Sequence, residues 1–192
     1  MDKKILLAAA VATLAIAVIA GLLLLSADRP LQGSVINPPQ PAAPVELTNY
    51  DGQHFSLGTA RGSVVLVYFG YTNCPDECPL TMAHLKLALE ILGPKADRAR
   101  VVMVTTDPAR DAPEALGTFM GRFNSAFLGL TGTSDQLARV WKDYGVTVMS
   151  GGATHSNYIY VIDPMGNLVE TFLPEAEPAD IATDVKTLLN RN

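Results

Sequence analysis

The sequence is poor in residues that hold soft metals or carry redox chemistry, with two cysteines, three histidines and one tryptophan among 192 residues. Positive charge is also scarce, since 14 lysines and arginines face 19 aspartates and glutamates. No basic cluster occurs along the chain. Because binding to phosphates requires concentrated positive charge, these features argue against a nucleic-acid partner.

One long apolar run stands near the start. Ile5–Leu25 has no charged side chain, and at 1.5 Å per residue it spans roughly 30 Å, the thickness of a bilayer core. We expect residues 5–25 to be an uncleaved single-pass anchor, because a cleaved signal peptide, the alternative, has a shorter run and small residues at its exit. Lys3 and Lys4 then hold residues 1–4 in the cytoplasm. This predicts a protein of the bacterial inner membrane whose remainder faces the periplasm.

The next segment, residues 26–44, is rich in proline. We expect it to lack regular structure and to act as an extended, semi-rigid linker. The remainder, residues 45–192, is long enough for one domain with a substantial core and too short for two ordinary ones.

Strands and helices alternate along residues 45–192. The predicted strands are a hairpin over 45–57 and single strands over 63–69, 100–105, 127–131, 158–163 and 167–173. The predicted helices cover 79–93, 112–123, 134–144, with Ser134 as its cap, and 177–189. This order predicts an α/β fold, a thioredoxin-like mixed sheet sandwiched by helices with an added N-terminal β-hairpin.

Both cysteines fall between a buried strand and a helix, in Cys74-Pro75-Asp76-Glu77-Cys78-Pro79. Pro79 suits the first position of a helix, and Cys78 before it is the predicted cap residue. The positive end of a helix lowers the pKa of a cysteine. Two thiolates across a tight loop can close a disulfide or hold a soft metal ion. We therefore predict a reactive loop, the alternative being a structural disulfide or two inert thiols.

The three histidines differ in their surroundings. His155 lies directly before a strand in the glycine-rich stretch 150–156, and such loops display functional side chains. His54, at the first hairpin turn, is predicted to be a solvated polar residue. His84 is predicted to be exposed on the far side of its helix from Cys78.

Three stretches of the chain resemble the Sco/SenC family. Residues 70–79, GYTNCPDECP, are similar to its copper-site motif, and residues 107–114, DPARDAPE, resemble its second stretch. Thr154-His155-Ser156, followed by residues 160–166, resembles the third. The resemblance implies a membrane-anchored, thioredoxin-like copper chaperone that helps build the binuclear copper site of cytochrome c oxidase. It also implies that Cys74, Cys78 and His155 are the copper ligands.

The chemistry of these three side chains agrees with copper. Two soft thiolates select copper(I), and an imidazole suits both oxidation states. Three ligands leave an open position that a recipient can attack. Zinc more often takes a fourth protein ligand, and the sequence offers none nearby.

The chain departs from the family pattern at two positions. Asn73 stands where the family usually has a histidine, and Thr154 stands where it has an acidic residue next to the metal histidine. The second departure removes a partner for the ligand and puts copper affinity in question.

Four further residues lie near these motifs. Met149 and Met165 are candidate soft ligands, but we expect both to pack in the core. Asp107 and Asp111 are expected to shape a loop beside the site, the alternative being contact with a partner.

The main functional prediction is a copper metallochaperone that is not an enzyme. The alternative is a thiol–disulfide oxidoreductase that reduces the cysteines of the oxidase copper-site subunit, since the same thiols form a redox couple. Copper binding needs His155, whereas disulfide exchange does not. A peroxidase of thioredoxin-like fold usually has a hydroxyl residue where Tyr71 stands, so it ranks third, ahead of a purely structural membrane-tethered domain. In either main role, a thiol reductant protein is an expected partner.

Overall fold

The structure is a computed structural model, and the residues that it describes are Thr13, Ile16, 30–154 and 157–191. The chain divides into two compact units, residues 1–30 and residues 31–192. Within the described part of the chain, no helix combines the length and apolar character needed to cross a membrane. The predicted anchor, residues 5–25, lies outside the described residues except at Thr13 and Ile16 and stays a prediction.

The second unit is built on one eight-stranded mixed sheet. Its strands are β1 (Ser34–Pro41), β2 (Glu46–Asn49), β3 (His54–Ser56), β4 (Val64–Gly70), β5 (Ala99–Thr105), β6 (Leu128–Thr131), β7 (Ile159–Ile162) and β8 (Asn167–Phe172). Their order across the sheet is β1-β8-β7-β4-β5-β6-β2-β3. The pairs β4–β5 and β5–β6 are parallel, and the other neighbouring pairs are antiparallel. The predicted mixed sheet and its N-terminal hairpin, β2–β3, are confirmed.

The helices of this unit are α1 (Glu77–Leu92), α2 (Pro113–Gly121), α3 (Ser134–Asp143) and α4 (Pro178–Asn190). Each lies within two residues of its predicted bounds. The predicted cap of α3, Ser134, is wrong by one residue. Thr133 is the cap, because its hydroxyl accepts from the Gln136 N–H at 3.3 Å while the Gln136 side chain accepts from the Thr133 N–H at 2.9 Å.

Strand β4 is buried on both faces along its whole length. Leu66 and Tyr68 pack into a cluster with α1, α2 and α4. Val67 and Phe69 point the other way, into a cluster with α3 and the β2–β3 hairpin. Successive side chains of a strand alternate between faces, so an apolar, uncharged run is what a strand covered by two layers requires. The predicted buried central strand is confirmed.

The linker prediction is wrong for part of residues 26–44. Residues 34–41 form β1, which pairs with β8 at one edge of the sheet. The paired positions are Ser34 and Val35 at one end and Gln40 and Pro41 at the other, with an irregularity between them. Proline lacks an N–H donor but fits an edge strand or a bulge, so the prolines in the irregular stretch do not prevent pairing.

Candidate metal centre

The cysteine loop, residues 71–76, connects the end of β4 to the start of α1. Cys74 lies in the loop, and its N–H donates to the Tyr71 carbonyl at 3.3 Å. Cys78 lies in the first turn of α1, since Asp76 occupies the N-cap position and the helix begins at Glu77. The predicted strand-to-helix turn is confirmed, whereas the prediction that Cys78 itself is the cap is wrong. Pro79 sits inside the first turn, where its missing N–H has no intrahelical role.

The two sulfur atoms receive hydrogen bonds from different donors. The Cys78 N–H donates to Cys74 Sγ at 3.3 Å, and the Tyr68 hydroxyl lies 3.6 Å from Cys78 Sγ. Both cysteines are free thiols; Cys78 is only 3% exposed, whereas Cys74 is half-buried. Gly70 makes this approach feasible, because a Cβ there would lie 2.7 Å from Cε1 of Tyr68 and 3.0 Å from Cys78 Sγ.

Burial controls the protonation of Cys78 more than the helix end does. It raises the pKa of the Cys78 thiol to about 12, from an ordinary value of 9.0. Burial also raises the pKa of Tyr68 well above its usual range, so its hydroxyl keeps its proton. The prediction that the helix N-terminus lowers the cysteine pKa is therefore wrong for Cys78, because loss of water penalises the thiolate more strongly than a partial positive charge favours it.

Asp111 fastens the cysteine loop to the end of β5. It is 1% exposed, and its carboxylate accepts from the N–H and hydroxyl of Thr72 at 3.1 and 2.6 Å. The same carboxylate accepts from the Thr105 hydroxyl at 2.6 Å. Hydrogen bonds to an ionised carboxylate are stronger than neutral ones. The expectation that Asp111 shapes the site is confirmed, and its burial excludes the alternative that it contacts a partner.

The segment 105–111 also holds the loop that leads to His155. The Thr106 hydroxyl donates to the Gly152 carbonyl at 2.6 Å. Arg110, paired with Asp107, donates to the Gly151 carbonyl at 2.7 Å. Gly152 has a φ of +82°, and a Cβ there would lie 2.7 Å from that of Asp107. Glycine is therefore required at this position, because the positive φ disfavours other residues and a side chain would collide with Asp107.

These loops enclose a cavity of about 70 Å³ at the end of β4. Its lining includes both cysteines and, from the other loop, Thr154 and Asn157. The Thr154 hydroxyl donates to the Asn157 side-chain oxygen, and the Asn157 amide donates to Glu77 at 2.5 Å. His155, the third predicted ligand, lies outside the described residues, between two positions that line the cavity.

Glu77 supplies a carboxylate that the sequence comparison with the family pattern did not predict. Thr154 stands where an acidic residue is usual, but Glu77 lines the same cavity from the start of α1. Asn157 links the two loops through it. Glu77 is visible in the cysteine motif of the sequence. Its contact with Asn157, however, joins positions 80 residues apart, so a local sequence pattern could not predict it.

The other predicted residues lie away from the cavity lining. His54 is exposed and faces the Glu46 carboxylate at 3.2 Å. His84 is half-buried, with Nδ1 3.1 Å from the Ala176 carbonyl, so the prediction of an exposed side chain is wrong. Met149 and Met165 are 39% and 57% exposed. Their predicted core packing is wrong, because each lies in a surface loop next to a glycine-containing turn.

The described residues bring two thiols together in one cavity. Among the described residues, no group of three cysteine, histidine or acidic side chains has the geometry of a metal site. Two soft sulfurs suit copper(I), and a nearby imidazole would complete a set that also suits copper(II). The same pair, one half-buried and one buried, suits thiol–disulfide exchange.

A thioredoxin-like domain with a dithiol at a strand-to-helix turn is the class that this fold and site define. The SCO1/SenC family model matches residues 36–190, so the chain belongs to the SCO1/SenC family. The match begins within β1, which agrees with the strand's place in the sheet.

The relatives are proteins of the same family. The chain is 33% identical over 138 residues to mitochondrial protein SCO2 of Saccharomyces cerevisiae, a match that covers 66% of this chain and 46% of that protein. It likewise spans only 60% of the length of a relative from Stutzerimonas stutzeri.

Solved structures of Sco proteins are also similar to this chain. Bradyrhizobium japonicum ScoI with copper bound has a TM-score of 0.67 and 28% identity, over 77% of this chain and 98% of that one. BsSco, a member of the Sco family of cytochrome c oxidase assembly proteins in which a disulfide switch is identified, has a TM-score of 0.67 and 26% identity. The match covers 81% of this chain and 96% of BsSco.

Proposed function

We propose that this protein is a copper metallochaperone that delivers copper to the binuclear copper site of cytochrome c oxidase during assembly. Cys74, Cys78 and His155 are the ligands. The observation that carries the proposal is that both cysteines line one cavity together with Thr154 and Asn157, the described residues before and after positions 155–156. Membership of the family and the copper-bound state of the related ScoI support it.

Delivery follows from the number of ligands and from the burial of the two cysteines. Two thiolates and one imidazole leave copper with an open coordination position. Cys74 is the more exposed cysteine, so an incoming thiolate of the recipient reaches copper from its side. The recipient in this proposal is the copper-site subunit of the oxidase, which must present its own soft ligands.

The proposed location is the outer face of a bacterial inner membrane. It rests on the apolar run of residues 5–25 and on Lys3 and Lys4 before it. A single-pass anchor would keep the copper site close to a membrane-embedded recipient.

The test of the ligand set is copper content. We expect the reduced full-length protein, purified in detergent, to bind one copper ion per chain, and Cys74→Ala or Cys78→Ala to abolish stoichiometric binding. Met149→Leu and Met165→Leu are matched controls, because they remove an exposed sulfur each and should retain the copper. Full copper content in either cysteine variant would contradict the three-ligand model.

A second candidate function is thiol–disulfide exchange with the recipient's cysteines. Two observations favour it: Cys78 N–H already lies 3.3 Å from Cys74 Sγ, and the related BsSco has a disulfide switch. His155→Ala separates the two functions, since exchange requires the sulfurs alone. An assay that follows reduction of a recipient disulfide should then be insensitive to the histidine.

A further inference from the structure

The Tyr68 hydroxyl lies against one sulfur but has no part in the proposed ligand set. Tyr68 is on β4 and is fully buried, with its oxygen 3.6 Å from Cys78 Sγ. Gly70 leaves room for this contact, because any Cβ there would collide with the Tyr68 ring and crowd Cys78 Sγ. The close approach of the Tyr68 hydroxyl to Cys78 Sγ thus depends on glycine at position 70 of β4.

The direction of this hydrogen bond depends on the state of the sulfur. A thiolate has no proton, so in that state the hydroxyl must be the donor. Thr81, a nearby residue, donates its own hydroxyl proton to the Glu77 carbonyl at 2.9 Å. The Tyr68 hydroxyl has the sulfur of Cys78 as its acceptor. A charged acceptor forms the stronger bond, which directs the proton to Cys78 when copper holds it as a thiolate.

The two cysteines consequently differ in burial and in the hydrogen-bond donor that faces each sulfur. Cys74 is half-buried and accepts a backbone N–H, whereas Cys78 is buried and faces a side-chain donor. We propose that Tyr68 is a positioning residue whose hydroxyl stabilises the Cys78 thiolate, so that Cys78 keeps copper while Cys74 is exchanged for a ligand of the recipient. This inference rests on the proposed copper function.

The consequence is measurable at the sulfur. A donated hydrogen bond withdraws electron density from a metal-bound thiolate and tunes the metal that it holds. Removing the donor should weaken the copper(I) complex and shift the sulfur-to-copper(II) charge-transfer absorption to lower energy. A residue that only filled space would leave both properties unchanged.

The experiment compares Tyr68→Phe with Tyr160→Phe in the full-length protein. Tyr160 is also buried, and its hydroxyl donates to the Tyr144 carbonyl at 2.8 Å, but it packs in the cluster on the opposite face of the sheet. Each variant loses one buried hydroxyl, so a general loss of stability should be similar. We expect only Tyr68→Phe to lower copper(I) affinity, by about tenfold, the effect of losing a hydrogen bond to a charged group. We also expect only this variant to shift the charge-transfer band.

A measurement without metal separates this inference from the proposed function. In a glutathione buffer, two glutathione thiols supply the two electrons and two protons that convert the Cys74–Cys78 disulfide into two thiols, and they become glutathione disulfide. Tyr68→Phe should shift this equilibrium towards the protein disulfide by about threefold, since a neutral hydrogen bond that favours the reduced form is lost. Wild-type values for copper affinity, absorption and this equilibrium in Tyr68→Phe would overturn the role of Tyr68 and leave copper binding intact. A wild-type protein that takes up no copper would instead overturn the proposed function, while a shifted glutathione equilibrium would still support the contact.

Discussion

Thr154 and Asn157 lie before and after residues 155–156 in the sequence, and both belong to the described part of the chain. Thr154 and Asn157 contact each other and line the cysteine cavity. Asn157 is further held by Glu77 in the first turn of the helix that carries Cys78.

Replacement of His155 should separate the two oxidation states of copper. We expect His155→Ala to weaken copper(II) by about 100-fold, the upper range for loss of ligand support, and copper(I) by less than about tenfold. Two thiolates can satisfy copper(I) in a linear site, whereas copper(II) prefers more ligands with nitrogen among them. Titration of each oxidation state against a competing chelator measures the two affinities.

The control is His54→Ala, which removes an exposed imidazole at the first hairpin. It should leave both affinities unchanged. Equal losses for copper(I) and copper(II) in His155→Ala would show that His155 is not a ligand in the proposed way.

The strand-to-helix turn is the element on which the site depends. The run of apolar residues before it predicted β4, and the proline after Cys78 predicted a helix start within two residues of the observed one. Local pattern was sufficient here because a buried strand and a helix end each leave a signature in adjacent residues.

Contacts between distant segments could not be predicted in this way. The pKa of Cys78 depends on burial by the whole domain. The hydrogen bond from Thr72 to the Asp111 carboxylate joins residues 39 positions apart. β1 was missed for the same reason, since its pairing partner, β8, lies at the other end of the domain sequence. The proline content favoured an extended linker and gave no sign that residues 34–41 pair with β8.

The cysteine turn should also act as a redox gate for copper. A disulfide sulfur is a poor ligand compared with a thiolate, and an oxidising compartment drives a thiol pair towards the disulfide. We expect a reversible Cys74–Cys78 disulfide that lowers copper uptake by at least about 100-fold until a thiol reductant protein, or a small thiol in its place, restores both thiols. Counting free thiols and bound copper before and after reduction measures this.

Cys78→Ser is the matched variant for the gate. It cannot form the internal disulfide, so oxidation followed by gel analysis should reveal no reversible intramolecular bond. If the oxidised wild-type protein binds copper with undiminished affinity, the gate does not exist.

At the scale of the whole molecule, a buried carboxyl pair joins the two ends of the domain. Glu170 on β8 and Asp184 on α4 are 0% and 1% exposed. Asp184 accepts from the backbone N–H groups of Gln32 and Gly33 at 2.5 and 3.2 Å, just before β1. Both oxygens of Glu170 lack a hydrogen-bond partner within the described structure. A buried carboxyl without a partner strongly prefers its neutral form.

The protonation of Glu170 makes stability depend on pH. Burial first, and then the Asp184 charge, raise its pKa from 4.5 to about 8. Between these two values the folded protein holds a proton that the unfolded chain has released. The free energy of unfolding should therefore fall by a few kcal/mol as pH rises from about 5 to 8.

Glu170→Gln should remove most of this dependence, because an amide of similar shape does not ionise. Denaturant unfolding at several pH values measures it, with the exposed Glu175→Gln as control. A Glu170→Gln variant that loses stability with pH as steeply as the wild-type protein would assign the effect to another group.

The N-terminal run should hold the whole protein in the membrane. We expect full-length protein to resist alkaline extraction of membranes, since a spanning apolar helix is not displaced by high pH. Deletion of residues 5–25 is the comparison and should release the protein. Recovery of wild-type protein in the soluble fraction, shortened by about 27 residues, would show a cleaved signal peptide instead.

The prolines of β1 have an effect beyond this molecule. β1 is the edge of the sheet, and its residues are almost all exposed. An open edge invites strands of other copies to add to it, which leads to aggregation. Pro38, Pro39 and Pro41 offer no N–H to such a strand, so they protect this edge of the sheet against pairing with other copies.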